Sequence, residues 1–207
     1  MNQWFSWVKF STSLILLWQL GACAPMVIGG AALTGKVVID RRTAGIQLED
    51  EAIELRSESG LRALLPKNSH VRVSSYNRMV LLTGEVNSES ERQQAERFVK
   101  SQDNVKTLVN DLAVMPESSL TQRAQDKIIS SQVRVILIQA KDIHSSAISI
   151  ITERGIVYLM GRLTEAEAKR VAELVSSSQI AGVQKVVKVL DYISDEDLKR
   201  LVSPAVR

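Results

Sequence analysis

Two stretches, Val80-Leu81-Leu82-Thr83-Gly84 and Val157-Tyr158-Leu159-Met160-Gly161, decide the fold of this chain of 207 residues. They occupy equivalent places in an internal duplication, 77 positions apart. In both stretches apolar residues lead into a glycine, which is typical of a strand that ends at a bulge or a tight exit. Because the surrounding pattern also repeats at this spacing, the chain contains two copies of one small domain.

The same elements surround each stretch. The pattern predicts a first helix over 49–65 and 120–141, followed by two short strands with turns at Asn77-Arg78 and Arg154-Gly155. A capped second helix and a valine-rich closing strand, over 105–114 or 183–192, complete each copy. The predicted fold class is therefore α+β, with two tandem αββαβ sandwiches, each a three-stranded sheet packed on two helices. Gly84 and Gly161 are the predicted structural glycines.

The N-terminus has the features of a lipoprotein signal peptide over residues 1–22. Its apolar stretch, Phe10–Leu20, is shorter than the ~20 residues that a membrane-spanning helix needs. It ends in Leu20-Gly21-Ala22-Cys23, which matches the lipobox pattern of an aliphatic residue, two small residues and cysteine. We expect cleavage before Cys23 and lipidation of that cysteine, which would attach the protein to a membrane.

The glycine-ended strands, each followed by a helix and a valine-rich strand, resemble the BON domain. Two of them behind a lipobox and the segment Asp40-Arg41-Arg42 resemble the dual-BON outer-membrane lipoproteins of the DolP type. The resemblance implies an outer-membrane lipoprotein on the periplasmic face, and Ala24, rather than aspartate, after the cysteine favours that sorting. The expected parts are a signal peptide (1–22), a lipidated tether (23–48), a first BON domain (49–115), a second BON domain (119–193) and a tail (194–207).

Catalysis is not expected. The sole cysteine is assigned to lipid. Because the sequence has no second cysteine, an intramolecular disulfide and a multi-thiol zinc site are excluded. His70 and His144 both precede the first strand of their copies, which favours a structural role at a turn. The acidic cluster Glu49-Asp50-Glu51 is interpreted as compensating the positive N-terminal end of a helix dipole. We therefore predict a protein that is not an enzyme, without catalytic residues, metal site or cofactor; the net charge of +3 does not favour nucleic acid as a partner.

The helix over 120–141 carries the candidate binding site. Ile129, Val133, Ile136, Leu137 and Ala140 form its predicted core stripe. On the remaining surface, basic residues alternate with aliphatic ones, a composition that suits contact with anionic lipid. The predicted lipid-binding residues are Arg123, Lys127, Ile128, Arg134, Val135, Ile138 and Lys141. An alternative is that the aliphatic members pack on the other domain.

The resemblance supports the lipid interpretation. In the DolP-like family, the first helix of the second BON module binds anionic phospholipid and can present an aromatic anchor where this chain has Ile128. The leading hypothesis is a lipoprotein that binds a phosphatidylglycerol-like phospholipid and supports envelope integrity, with the division site as a place of action. The alternative is a periplasmic adaptor that binds envelope-assembly or cell-wall-remodelling proteins. Because its first helix is acidic, domain one is not expected to bind anionic lipid. It is expected to serve as a packing surface, as a spacer or as a site that recruits partners.

Overall fold

The computed structural model describes residues 40–202. Module one contains two long helices and a sheet in which β1 runs antiparallel and β3 and β4 run parallel to β2. Its elements are α1 (Ala44–Leu64), β1 (His70–Tyr76), β2 (Met79–Val86), α2 (Glu89–Lys100), β3 (Thr107–Asn110) and β4 (Ala113–Val114). β3 and β4 are two parts of the predicted closing strand. They are separated at Asp111 and Leu112, where the Asn110 side chain accepts a hydrogen bond from the Leu112 backbone N–H.

Module two repeats this arrangement with an unbroken closing strand. Its elements are α3 (Leu120–Gln139), β5 (Ile148–Glu153), β6 (Ile156–Leu163), α4 (Glu165–Ser177) and β7 (Lys185–Tyr192), and α5 (Asp195–Val202) follows it. The sheet order is β5-β6-β7, with β5 antiparallel and β7 parallel to β6. The predicted α+β class with two tandem αββαβ units is confirmed.

Gly84 and Gly161 lie inside strands rather than at their ends. β2 and β6 each continue for two residues beyond the glycine, so the prediction that the strands end there is wrong. Gly84 has a φ of 114°, and a Cβ atom on it would lie 2.0 Å from the carbonyl oxygen of His70. A Cβ on Gly161 would lie 2.5 Å from the carbonyl oxygen of Ala147. A neighbouring backbone therefore leaves no room for a side chain at either position.

A buried aspartate in the first helix of each module holds the hairpin turn of that module. Asp50 accepts hydrogen bonds from the backbone N–H groups of Asn77 (2.8 Å) and Arg78 (2.7 Å). Asp126 accepts the equivalent bonds from Arg154 (2.9 Å) and Gly155 (2.8 Å). Both turns have the two consecutive positive φ angles of a tight hairpin, which confirms their predicted positions. The interpretation of Asp50 as a dipole-compensating residue is wrong, because its carboxylate is buried against the turn.

The two modules contact each other through their sheets. One face of each sheet packs on its own helices and forms a separate hydrophobic core. The other faces form a third core, which joins both modules; its buried members are Tyr76, Leu81, Ile151, Tyr158, Met160 and Val189. Central strands β2 and β6 are therefore buried on both faces, which explains their nearly continuous apolar sequences.

Hydrogen bonds cross the same junction. The Tyr76 hydroxyl donates to the carbonyl oxygen of Ala147 at 3.2 Å, and the Tyr158 hydroxyl donates to the Asp111 carboxylate. Burial, together with this bond to Asp111, raises the pKa of Tyr158. Because the buried hydroxyls are bonded, both tyrosines contribute apolar area to the junction without an unsatisfied donor.

The end of the predicted tether is packed against both modules. α1 begins at Ala44, within the segment predicted as tether, and the Thr43 side chain caps it. The buried guanidinium of Arg41 donates to both carboxylate oxygens of Glu167, at 2.6 and 2.8 Å, and to the carbonyl oxygen of Arg162 at 2.7 Å. Arg42 binds Asp50 at 2.8 Å and lies over the Tyr76 ring. Residues 40–42 thus belong to the same compact unit as the two cores.

Candidate functional site

Helix α3 presents the predicted lipid-binding surface. A capping box starts it: the Ser119 side chain accepts from the Gln122 backbone N–H, and the Gln122 side chain accepts from the Ser119 backbone N–H. Ile129, Val133 and Leu137 are buried in the core of module two. Ile136 and Ala140 are only partly buried, and the helix ends at Gln139, two residues earlier than predicted. Because these three residues pack into the core, the opposite side of the helix faces solvent.

The aliphatic residues of the outer face are largely exposed and do not belong to the core that joins the modules. Ile128 is 50% exposed, Val135 is 52% exposed and Ile138 is 62% exposed. The alternative prediction, in which they pack between the domains, is wrong, because the sheets form the junction instead. Three aliphatic side chains on one solvent-facing helix surface leave apolar area available for a ligand or a partner.

Part of this face forms a shallow groove of about 690 Å³. Lys127, Ile128 and Val135 line it on α3, and the loop of residues 179–181 forms the other wall. Gln179, with a φ of 50°, and Gly182, with a φ of 90°, turn this loop towards the helix. No residue of the loop was predicted as part of the site, because nothing in its sequence marks it as adjacent to α3.

The basic residues of this face differ in how far their charges are paired. Arg123 donates to the Ser118 hydroxyl at 3.2 Å and to the Glu117 carboxylate at 3.1 Å. Lys127, Arg134 and Lys141 are exposed, and within residues 40–202 no carboxylate forms an ion pair with them. Lys127 lies at the groove, whereas Arg134 and Ile138 lie elsewhere on the outer face and Lys141 follows the end of the helix. The site therefore offers three unpaired cations beside exposed aliphatic side chains.

A second group of titratable side chains lies at the module junction. Glu85 accepts from His70 Nδ1 at 3.1 Å, Arg154 Nη1 at 3.2 Å and the Ser118 hydroxyl at 3.3 Å. Although burial opposes it, these bonds lower the pKa of Glu85. One ligand atom each of His70, Glu85 and Glu153 lies within 4.8 Å of the others, a geometry that suits a metal ion. The sequence did not predict this group.

Comparison with known proteins identifies the family. The BON domain family matches the chain twice, at residues 50–116 and 125–194. Outer membrane lipoprotein DolP of Haemophilus influenzae is 33% identical over 176 residues, which cover 84% of this chain and 90% of that protein. The chain is a dual-BON protein of the DolP family. The predicted relationship is thereby confirmed.

Two further similarities cover most of the chain. The 21 kDa hemolysin of Actinobacillus pleuropneumoniae is 29% identical over 157 residues, which cover 75% of this chain and 80% of that protein. The C-terminal domain of CdsD, a structural protein of the type III secretion system of Chlamydia trachomatis, aligns with a TM-score of 0.30 and 11% identity, over 68% of this chain and 97% of that chain.

The relationship to outer membrane lipoprotein DolP supports an outer-membrane localisation. None of the helices within residues 40–202 combines the length and the hydrophobicity needed to cross a bilayer. Cys23, the predicted lipidation site, lies outside the described residues, as do the signal peptide and most of the tether.

Proposed function

We propose that this dual-BON protein is held to the outer membrane through lipid on Cys23, on the periplasmic side, and binds anionic phospholipid through α3. In this proposal it is not an enzyme, and it supports envelope integrity, including at the division site. The observation that carries the proposal is the outer face of α3, where unpaired Lys127 and Arg134 lie beside exposed Ile128 and Val135. Aliphatic side chains would enter the headgroup boundary while the cations meet phosphate.

Attachment at two points would make a weak lipid contact sufficient. A lipid on Cys23 holds α3 at a high effective concentration near the membrane, so modest intrinsic affinity gives substantial occupancy. Arg41, bonded to Glu167 in module two, fixes the start of the folded body relative to the module that carries α3.

The direct test is binding to vesicles of defined composition. The chain of residues 24–207 lacks the lipidation site but contains both cores, so any binding must come from the folded part. We expect it to sediment with vesicles that contain phosphatidylglycerol and to remain in solution with pure phosphatidylcholine. Equal sedimentation with both, or with neither, would contradict lipid recognition by charge.

Neutralising two cations of the outer face should weaken this binding strongly. Each Lys or Arg near an anionic surface contributes about 1 kcal/mol, so the double variant Lys127→Gln/Arg134→Gln should bind about thirtyfold more weakly. Its affinity should also depend less on salt. The matched control is Arg62→Gln/Lys67→Gln, which removes the same charges from exposed positions of module one. If both variants lose affinity equally, the outer face of α3 is not the lipid-binding surface.

The groove residue Ile128 offers a test in the opposite direction. Tryptophan prefers the membrane interface, so Ile128→Trp should strengthen binding to phosphatidylglycerol vesicles by about threefold to tenfold. Leu55→Trp places the same ring on an exposed position of α1 and should leave the affinity unchanged. An equal gain in the two variants would mean that tryptophan binds lipid from any surface, which would remove the special role of α3.

A second candidate function is a periplasmic adaptor for envelope-assembly or cell-wall-remodelling proteins. Leu48 and Leu55 are exposed on one face of α1, and the acidic side chains Glu51 and Glu58 flank them. Anionic headgroups would repel such a surface, whereas a protein with basic and apolar side chains would complement it. Failure of residues 24–207 to bind anionic vesicles would favour this function over the first.

A further inference from the structure

Three potential metal ligands from different modules meet at the module junction. His70 on β1 and Glu85 on β2 come from module one, and Glu153, the last residue of β5, comes from module two. The relevant nitrogen and oxygen atoms all lie within 4.8 Å of one another. Glu85 is 1% exposed and Glu153 is 3% exposed, so two largely buried carboxylates lie close together.

Glu153 has no bonding partner for its carboxylate. Within residues 40–202 it makes neither a hydrogen bond nor an ion pair, whereas His70, Arg154 and Ser118 all bond to Glu85. An isolated buried carboxylate is costly unless a positive ion, or a proton, compensates it.

We propose that His70, Glu85 and Glu153 bind a divalent cation of the zinc class, and that this ion links the two modules. One imidazole and two carboxylates are a donor set that Zn²⁺ accepts, with water in the fourth position. The two carboxylates balance the charge of the ion. Arg154 Nη1 bonds to Glu85 Oε1, so it would hold the carboxylate in place while Oε2 binds the metal. Oε2 also accepts from the Ser118 backbone N–H and hydroxyl, both at 3.3 Å, and these supporting bonds would fix its position.

A route from solvent to these ligands exists. A cleft of about 720 Å³ between α3, β1 and β5 is lined by both His70 and Glu153. Hydroxyl groups of Ser130 and Thr152 lie along it, together with the cations Arg72 and Lys127. Because Arg72 and Lys127 repel a divalent metal ion, we expect zinc to bind with a dissociation constant on the order of 1–10 μM. This affinity is weaker than that of a closed structural zinc site.

Calorimetric titration of residues 24–207 with ZnCl₂ tests the proposal, since this chain lacks the only cysteine. We expect one ion per chain, with at least about tenfold weaker binding in Glu153→Gln and in His70→Ala. His144→Ala, which removes the other histidine, should bind like the wild type. Saturating zinc should also raise the melting temperature of the wild type by several degrees and leave that of Glu153→Gln unchanged.

Three results would overturn the site. They are the absence of saturable binding up to about 1 mM zinc, equal affinity in wild type and Glu153→Gln, and loss of binding in His144→Ala. Glu153→Gln removes a buried charge and keeps the shape of the side chain, so it is expected to fold. Should it not fold, His70→Ala, at a partly exposed position, carries the same test.

Discussion

Replacing Asp50 by alanine is expected to lower the free energy of unfolding by about 4 kcal/mol. The carboxylate is buried and accepts from the Asn77 and Arg78 backbone N–H groups, from the Ser75 hydroxyl (2.7 Å) and from Arg42 (2.8 Å). The substitution leaves several donors without an acceptor, and each buried unsatisfied donor costs about 1–3 kcal/mol. Urea denaturation of residues 24–207, followed by circular dichroism, measures the loss.

Two further variants make this result specific to the turn. Asp50→Asn keeps one acceptor oxygen and should lose about half as much stability, since the charge is lost but the shape is kept. Asp103→Ala changes an exposed aspartate of module one and should unfold at the wild-type urea concentration. If Asp50→Ala and Asp103→Ala unfold at the same urea concentration, the hydrogen bonds between Asp50 and the hairpin turn do not stabilise the fold.

Replacing Arg41 by methionine should lower the free energy of unfolding by about 3 kcal/mol at pH 7. The guanidinium is buried and makes two bonds to Glu167, whereas methionine keeps only the apolar stem. Loss of a buried ion-pair partner costs about 3–5 kcal/mol, and the lower value is chosen because Glu167 is partly exposed. Arg170→Ala breaks a solvent-exposed pair with Asp142 and should have little effect.

The effect of Arg41→Met should depend on pH in a defined direction. Although burial opposes it, the bonds from Arg41 lower the pKa of Glu167. A carboxyl group whose pKa is lower in the folded state stabilises that state above its unfolded pKa of about 4.3, and this contribution is lost as the pH falls through the folded value. The difference in unfolding free energy between wild type and variant should therefore shrink below about pH 4. A constant difference from pH 7 to pH 3 would contradict the ion-pair explanation.

The sequence predicted the order of elements because local patterns determine them. Alternating apolar residues, turn residues such as Arg154-Gly155 and the cap of the second helix each act over a few positions, and the structure has the expected strand, turn and helix at each. In module two, Thr164 and Glu167 form that cap. The packing of the sheets was not predicted, because apolar residues on both faces of β2 and β6 can equally indicate a buried strand of a larger sheet. The burial of Arg41 was missed for a related reason, since its partner Glu167 lies far along the chain.

The candidate sites differ in how visible they are in the sequence. The α3 face could be predicted because helical periodicity alone separates Ile129 and Val133 from Ile128 and Val135. The groove wall at residues 179–181 could not, since it depends on the position of a loop. The cluster of His70, Glu85 and Glu153 shows no spacing motif, because its ligands come from both modules and are brought together only by the sheet junction.

The third core contains two pairs of equivalent residues from the two copies. Met79 and Leu81 in module one correspond to Ile156 and Tyr158 in module two, and all four belong to it. An interface made from the same patch on both sides is the isologous interface of a twofold homodimer. This core therefore contains, within one polypeptide, part of the contact that a symmetric pair of subunits would make. Because the two modules belong to one polypeptide, their sequences need not be identical. The first helix of module one can therefore be acidic and that of module two basic, while the contact between the sheets is retained.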